Sequence, residues 1–391
     1  MKRPVYLDYA ATTPVDPRVA EVMAGCLTRD GVFANPASAH GPGRAARERV
    51  EQARAQVAEL IGAEPRELIF TSGATESNNL AIAGAARFHA RRGRHIVTSR
   101  TEHKAVIDVC RALERDGFEV TWLVPDASGI IAPEQVREAI RDDTVLVSLM
   151  LVNNELGTVQ DVAAFGEITR ERGILLHVDA AQAVGKLPVN LAEWPVDLLS
   201  LSAHKCYGPK GVGALYQRRR PRARVTPLML GGGHERGLRS GTLATHQIAG
   251  LGEAARLLSD SLEAEVRHPG ELRRRLEKGL LEGLSGAHLN GDPERRAPGT
   301  ANLRFDGVHG EALLAALDPD MAVSSGSACT SVSAEPSYVL RALGLSDAEA
   351  EASIRFSVGR FTTAEEVDFA VERVVAAVTR LRELSPRGLS A

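Results

Sequence analysis

The sequence predicts an α/β fold followed by a smaller α+β part, and three observations support this. Short runs of Val, Ile and Leu alternate with longer helical patterns, which is typical of a sheet buried on both faces. From about Gly250 onward, long amphipathic helices with only a few strand-like stretches replace this alternation. The chain of 391 residues is also too long for one simple core, and its length fits two or three packed subdomains.

Each element is predicted from its own local pattern. The strands are short apolar runs bounded by polar or turn-forming residues, and they lie at residues 68–71, 96–98, 120–123, 145–149, 175–178, 198–202 and 213–216. The helices have a 3.6-residue apolar period and lie at residues 45–61, 76–91, 105–116 and 133–140. Two later strand-like stretches, residues 300–305 and 353–357, belong to the last third. The first residues of the chain fit either part.

The charge balance gives no global reason to expect a nucleic-acid or membrane partner. Lys and Arg total 47 and Asp and Glu total 50, which leaves a net charge of -3. The basic run from Arg218 to Arg224 is the local exception, and it is typical of a solvated loop. Neither a run of about 18 apolar residues nor an apolar signal-peptide core is present. We therefore expect no membrane-spanning helix and no secretory leader.

The cysteines indicate the redox setting of the protein. Cys26, Cys110, Cys206 and Cys329 are scattered along the chain and show no CxxC pairing. This spacing argues against a zinc site and against a disulfide framework. We therefore expect a reducing, cytoplasmic environment, in which one exposed thiol can be kept for chemistry.

Polar residues that follow the predicted strands form one set, because ligands of open α/β sheets bind at the carboxyl ends of strands. The first group is the stretch of small residues around Ala74 and Thr75, which joins a strand to a helix. It predicts an anion site at a helix amino terminus, with simple N-capping as an equal alternative. The second is Asp179, which ends a buried strand. It either pairs with a pyridinium N–H or caps the next helix.

Lys205 lies just past a buried strand and before a Gly/Pro turn, which makes it a candidate Schiff-base lysine. A lone lysine on a loop is usually only solvated. Asp179, however, lies one strand away in the same predicted sheet. The presence of both residues is a much more specific indication of a cofactor site than the lysine alone. Ser202 and His204 flank the lysine and can reach a phosphate.

Two more strands are followed by candidate ligand residues. His103 can lie over an aromatic cofactor ring, and Asn154 can donate to a ring hydroxyl. Taken individually, each is more often a turn residue. The stretch from Gly231 to Thr242 is typical of a flexible loop with phosphate-reaching groups.

A thiol and a cation complete the candidate set. Cys329 lies in a stretch of small polar residues that predicts a mobile loop, and such a position is unusual because cysteines are mostly buried. The alternative is an incidental loop cysteine. Arg355 lies in a short alternating strand, where it either clamps a carboxylate through two hydrogen bonds or forms a structural ion pair.

Taken in order, these residues belong to motifs that resemble one family. The chain is similar to the group I cysteine desulfurases of the IscS/NifS type, which are fold-type I pyridoxal-phosphate (PLP) enzymes with an aspartate aminotransferase-like fold. The resemblance runs from Tyr6 to about Pro386. The motifs that carry it are TSGATESNN (71–79), TEHKAV (101–106), VNNE (152–155), HVDAAQ (177–182), SAHKCYGPKG (202–211), GGGHERGLRSGT (231–242), SSGSACTS (324–331) and IRFSVGR (354–360).

The resemblance implies a large PLP-binding domain and a smaller one. The large domain comprises residues 14–258 and contains a mainly parallel seven-stranded sheet. The small α+β domain comprises residues 1–13 and 259–391 and carries the mobile Cys329 loop. The resemblance also implies an obligatory homodimer, in which Thr242 reaches the phosphate bound by the other subunit.

The resemblance also implies a role for each site residue. Catalysis falls to Lys205, which binds PLP covalently and moves the Cα proton, to His103, which stacks on the ring, and to Cys329, which accepts sulfur from L-cysteine as a persulfide. Asn154 and Arg355 bind the substrate carboxylate. The residues implied for cofactor binding are Ala74, Thr75, His103, Asn154, Asp179, Gln182, Ser202, His204, Lys205 and Thr242. No resident metal is implied, although Cys329 can transiently ligate a cluster on a partner.

The sequence leaves the sulfur acceptor open. The family delivers sulfur to iron–sulfur scaffold proteins and to tRNA or cofactor thiolation carriers, but this chain ends soon after Pro386, where relatives continue with a docking tail. Two rival functions also stay open at this point. One is another enzyme of the same fold, such as a selenocysteine lyase or a transaminase, and the other is a catalytically silent sulfur carrier.

Overall fold

The computed structural model describes residues 4–325 and 335–384, and it confirms the predicted strands to within one residue at each end. Three strands of two or three residues, the first, ninth and eleventh, were not predicted, because such short stretches carry no periodicity. The strands are β1 (Val5–Tyr6), β2 (Leu68–Thr71), β3 (His95–Ser99), β4 (Glu119–Leu123), β5 (Thr144–Met150), β6 (Leu175–Asp179), β7 (Leu198–Ser202), β8 (Gly213–Gln217), β9 (Ala287–Leu289), β10 (Thr300–Phe305), β11 (Met321–Ala322) and β12 (Ser353–Ser357).

The helices alternate with the strands up to β8 and then dominate. They are α1 (Pro17–Ala24), α2 (Gly41–Leu60), α3 (Ala74–His89), α4 (Lys104–Arg115), α5 (Pro133–Ala139), α6 (Val162–Glu171), α7 (Thr245–Gly283), α8 (Gly310–Leu317), α9 (Tyr338–Ala342), α10 (Asp347–Glu351) and α11 (Ala364–Leu384). Helix α2 starts four residues before its predicted start, because His40 caps it and Pro42 suits its first turn. Within the described ranges, no helix combines the length and hydropathy of a membrane span.

Seven strands form the main sheet, in the order β2-β8-β7-β6-β5-β3-β4. Strands β4, β3, β5, β6 and β7 run parallel, whereas β8 pairs antiparallel with β7 and β2. Both faces are buried, and alternate residues such as Leu146 and Val147 enter different hydrophobic clusters. Because the parallel strands share a direction, β3, β5, β6 and β7 end at one edge of the sheet.

A second hydrophobic cluster lies around β10, which pairs antiparallel with β9 and β12. Leu272, Leu276 and Leu280 of α7 pack into it, together with α8 and α11. Strand β1 pairs in parallel with β11, so the start of the chain belongs to this cluster through Val5 and Leu7. Helix α7 connects the two regions, because its first half packs against the main sheet.

The basic run after β8 has the surface position expected of a solvated loop. Arg218 pairs with the buried Asp197, which anchors the start of the run. Arg219, Arg220, Arg222 and Arg224 are exposed. Most of these charges therefore face water.

Candidate active site

The shared carboxyl edge of β3, β5, β6 and β7 borders a cavity of ≈ 590 Å³. Of the twelve site residues named from the sequence, ten line this cavity: Ala74, Thr75, His103, Asn154, Asp179, Gln182, Ser202, His204, Lys205 and Arg355. Thr242 is exposed and lies outside the cavity lining. Cys329 lies outside the described residues. The ten residues come from six separate segments, five of which follow strands of the main sheet, whereas Arg355 lies within β12.

One end of the cavity is formed by the amino terminus of α3. The residue before this helix is Gly73, with φ of 148° and no side chain that can cap the first amides. Residues with a side chain rarely adopt this φ, so the uncapped start of α3 depends on a glycine at this position. Ser202 lies close by, because a Cβ on Gly73 would stand 3.8 Å from its Oγ. No side-chain N-cap is therefore present at this turn, and the uncapped amides can bind an anion.

His204 lies at the same end, in the turn after β7. Its Nδ1 is 3.1 Å from the hydroxyl of Thr12. Burial, followed by the positive charge of Lys205, lowers the pKa of His204 to about 4. The neutral imidazole can thus offer a hydrogen bond, but not a charge, to a bound anion. The nearby positive charges come from lysines, Lys205 and Lys210, which both line the cavity.

Asp179 lies in the cavity floor with both oxygens engaged. Its Oδ2 accepts a hydrogen bond from Asn78 Nδ2 at 2.7 Å, and its Oδ1 accepts one from the Ala181 amide at 2.9 Å. Turn residues rather than a helix follow it, so it does not act as a helix cap. These two donors fix the orientation of the carboxylate, which can then accept a hydrogen bond from a protonated ring nitrogen.

The amide of Gln182 has a fixed orientation. Its Nε2 donates to the carbonyl oxygen of Ala10 at 2.8 Å, and its Oε1 accepts from Lys186 Nζ at 2.7 Å. The two contacts agree on which atom of the amide is nitrogen and which is oxygen. The second N–H of Nε2 is therefore available to a ligand. Burial, followed by the charge of Lys205, lowers the pKa of Lys186 to about 7.

His103 caps α4 and lines the cavity as well. Its Nδ1 accepts from the Ala105 amide at 3.1 Å, which places the proton of a neutral ring on Nε2. Burial lowers the pKa of His103, so the neutral ring is favoured. The loop that carries it is braced by Tyr338, whose hydroxyl donates to the carbonyl oxygen of Glu102 at 2.8 Å. The turn-residue alternative thus holds for His103, which also lines the cavity.

Asn154 and Arg355 contact each other and also line the cavity. Arg355 Nη1 donates to the carbonyl oxygen of Asn154 at 2.7 Å, and Nη2 pairs with Asp8 Oδ1 at 2.7 Å. The ion-pair alternative for Arg355 thus holds, yet the side chain also lines the cavity. Asn154 Oδ1 and Arg355 Nε are buried and have no hydrogen-bond partner among the described residues. Such atoms favour a bound polar ligand, which would satisfy them.

These groups fit a flat, anionic cofactor. The uncapped amides of α3 suit a phosphate, and Asp179 suits a protonated ring nitrogen. Gln182 offers a donor to a ring oxygen, and Lys205 offers an amine at the same edge. In residues 4–325 and 335–384, no cluster of three or more His, Cys, Asp or Glu side chains has the arrangement of a metal site.

The cysteines in the described ranges are poor nucleophiles. Cys26, Cys110 and Cys206 are free and buried. Burial raises the pKa of the Cys110 thiol, and it raises that of Cys206 to about 12. Cys206 follows Lys205 directly, but its Sγ points to backbone oxygens of Ser202 and Ala203. Its position beside the lysine therefore supplies no reactive thiolate.

Several residues that orient the site were not identified from the sequence. Asp8, Asn78 and Lys186 each contact a residue that was named, namely Arg355, Asp179 and Gln182 respectively. Asn78 lies inside a quoted motif, and that motif was the only signal for it. Asp8 and Lys186 carry no local pattern that indicates a partner.

Comparison with family models gives one match, to the family described as "Aminotransferase class-V", over residues 5–369. Among curated proteins, "Cysteine desulfurase IscS" of Aeromonas hydrophila subsp. hydrophila is 61% identical over 387 residues, which cover 99% of this chain and 95% of that protein. The protein of the same name from Proteus mirabilis is 59% identical over the same shares.

Two solved structures have closely similar folds. One, described as "NIFS-LIKE PROTEIN", has a TM-score of 0.90 and 37% identity, and the match covers 97% of this chain and 100% of that one. The other, described as "SspA in complex with cysteine", has a TM-score of 0.81 and 40% identity, and the match covers 92% of this chain and 100% of that one.

Proposed function

The chain belongs to the aminotransferase class-V family, and from that premise we propose that it is a PLP-dependent cysteine desulfurase. The reaction converts L-cysteine into L-alanine and transfers the sulfur to Cys329 as a persulfide. The observation that carries the proposal is the grouping of an uncapped helix terminus, Asp179 and Lys205 around one cavity. Relatives called cysteine desulfurases match along 99% of the chain.

The contacts and positions of residues in the cavity support the proposed cofactor-binding roles. Bound PLP supplies an electron sink for the charge that develops at the substrate Cα. Lys205 holds the cofactor covalently and moves the Cα proton. Asp179 accepts a hydrogen bond from the protonated ring nitrogen, and two donors hold its carboxyl group in place. His103 covers the ring, and Gln182 donates to the ring oxygen.

Different residues of the cavity hold the phosphate and the substrate carboxylate. Ala74, Thr75, Ser202 and His204 surround the phosphate with amide, hydroxyl and imidazole donors. Arg355 binds the substrate carboxylate, which the unpaired Nε supports, and Asn154 donates to the carboxylate through its amide Nδ2.

The sulfur step needs a reactive thiol. The Cys329 thiolate attacks the substrate sulfur, so a new S–S bond forms as the substrate Cβ–S bond breaks. The Cβ then takes up a proton to give L-alanine, and Cys329 keeps the sulfur as a persulfide. Thiolate attack of this kind depends on thiol pKa and exposure. The burial of Cys26, Cys110 and Cys206 supports Cys329 as the acceptor.

We infer that the enzyme acts as a cytoplasmic homodimer and delivers its persulfide sulfur to an acceptor protein. Thr242 is exposed outside the cavity of its own chain, which supports a role at the phosphate of the other subunit. An iron–sulfur scaffold protein is the first candidate acceptor, because the relatives carry the name IscS. The division into domains at residues 14–258 and at 1–13 with 259–391 is supported by two separate hydrophobic clusters.

The test is release of L-alanine and sulfide from L-cysteine in the presence of a thiol reductant. Wild type, Cys329→Ala and the matched control Cys26→Ala are compared, each with a confirmed PLP content. We expect wild type and Cys26→Ala to turn over and Cys329→Ala to fail while still holding PLP. An active Cys329→Ala enzyme would contradict the persulfide assignment and favour a lyase or a transaminase. A chain unable to bind PLP would favour a silent carrier.

A further inference from the structure

The guanidinium of Arg355 is paired on one side and left without a partner on another. Nη1 donates to the carbonyl oxygen of Asn154, and Nη2 donates to Asp8 Oδ1, both at 2.7 Å. Nε is buried and has no hydrogen-bond partner among the described residues. The Arg355 side chain is only 3% exposed, and it lines the active-site cavity. A buried donor in this position favours an acceptor supplied by a ligand.

The unpaired atom belongs to the edge of the guanidinium that binds carboxylates best. The N–H of Nε and one N–H of Nη2 point in parallel from this edge, and their spacing matches the two oxygens of a carboxylate. Nη2 carries two hydrogens, so its contact with Asp8 leaves one for the ligand. The other edge is partly used, because Nη1 is engaged by Asn154.

Asp8 is itself rigidly held next to the strand that carries Arg355. It forms a parallel bridge with Ser357, two residues after Arg355. The Ser357 amide donates to the carbonyl oxygen of Leu7 at 2.7 Å, and the Tyr6 hydroxyl donates to that of Asp8 at 3.0 Å. Asp8 does not line the cavity. It therefore reaches a bound substrate only through Arg355.

We propose that Asp8 is a positioning residue, which fixes the guanidinium of Arg355 so that its Nε–Nη2 edge receives the α-carboxylate of the amino-acid substrate. This inference rests on the proposed function. What matters is the place of the Asp8 oxygen rather than its charge, because a second carboxylate near the substrate carboxylate adds repulsion. Displacing the Asp8 oxygen should therefore weaken substrate binding more than removing the charge of the Asp8 side chain.

The test uses two ligands that differ only in the carboxylate. The PLP-loaded wild type, Asp8→Glu and Asp8→Asn are titrated with the product L-alanine and with L-alaninamide, and binding is followed by visible absorbance. Asp8→Glu keeps the charge but displaces the oxygen, so we expect L-alanine to bind about tenfold more weakly and L-alaninamide to change less than about twofold. Asp8→Asn keeps an acceptor in place, so we expect L-alanine affinity within about threefold of wild type.

Three results would overturn the inference. Asp8→Glu binds L-alanine like wild type, or it loses both ligands equally, which indicates general damage to the site. Alternatively, Asp8→Asn loses L-alanine as severely as Asp8→Glu does, so that charge rather than position is decisive. Turnover of L-cysteine by the wild type is measured in parallel, because its absence would refute the proposed function instead.

Discussion

The hydrogen bond between Asn78 and Asp179 should contribute strongly to PLP affinity. Asn78 is fully buried, and its Nδ2 lies 2.7 Å from Asp179 Oδ2. A hydrogen bond to a charged group contributes about 1.5–3 kcal/mol. Without it, the Asp179 carboxyl group is less firmly oriented, so its hydrogen bond to the cofactor ring weakens. Because about 1.4 kcal/mol corresponds to a tenfold change, Asn78→Ala should raise the PLP dissociation constant by about 10- to 100-fold.

The assay is an absorbance or fluorescence titration of the cofactor-free protein with PLP. The neighbouring Asn79→Ala is the matched control, since Asn79 donates to the backbone of Thr75 at an exposed position and does not contact Asp179. We expect the control to bind PLP nearly as well as wild type. If Asn78→Ala keeps wild-type affinity, or if both variants lose affinity equally, the assignment of Asn78 as the support of Asp179 is wrong.

Further predictions concern stability, pH and covalent attachment. Arg54→Met breaks a buried ion pair with Glu235 and should cost about 3–5 kcal/mol in chemical denaturation, whereas Arg87→Met at an exposed pair should cost no more than about 1 kcal/mol. Burial lowers the pKa of His177 to about 4. As the pH decreases from 6.5 to 4, the free energy of unfolding should therefore fall by on the order of 3 kcal/mol. If the melting temperature of His177→Gln depends on pH as steeply as that of wild type, this prediction is wrong. Lys205→Ala should retain no PLP on the chain after borohydride reduction, and mass spectrometry that finds attached PLP would exclude Lys205 as its anchor.

The main sheet could be predicted from sequence because each strand has two local signals, an apolar run and a turn that ends it. In β2, for example, residues 68–70 form a continuous apolar run, and a polar turn with Ser72 and Gly73 ends the strand at the predicted position. Strand β1 has only two residues and neither of these signals. Its pairing with β11 links residues from opposite ends of the chain. Only tertiary contact defines such a strand.

The same distinction applies to the site. Asp179 and Lys205 were predictable because the carboxyl ends of neighbouring parallel strands meet at one edge. Asp8 and Asn78 were not, because their partners lie 347 and 101 residues away. Long-range hydrogen bonds leave no periodic trace in the sequence, so the residues that orient the site became visible only in the structure.

The most direct test of the account is a single-turnover experiment without reductant. The PLP-loaded protein is mixed with L-cysteine, L-alanine is quantified, and the protein is mapped by mass spectrometry. The account predicts one equivalent of L-alanine per active chain and one added sulfur atom, carried by the peptide that contains Cys329. L-alanine without added sulfur on that peptide, or sulfur on Cys206 instead, would contradict the central claim.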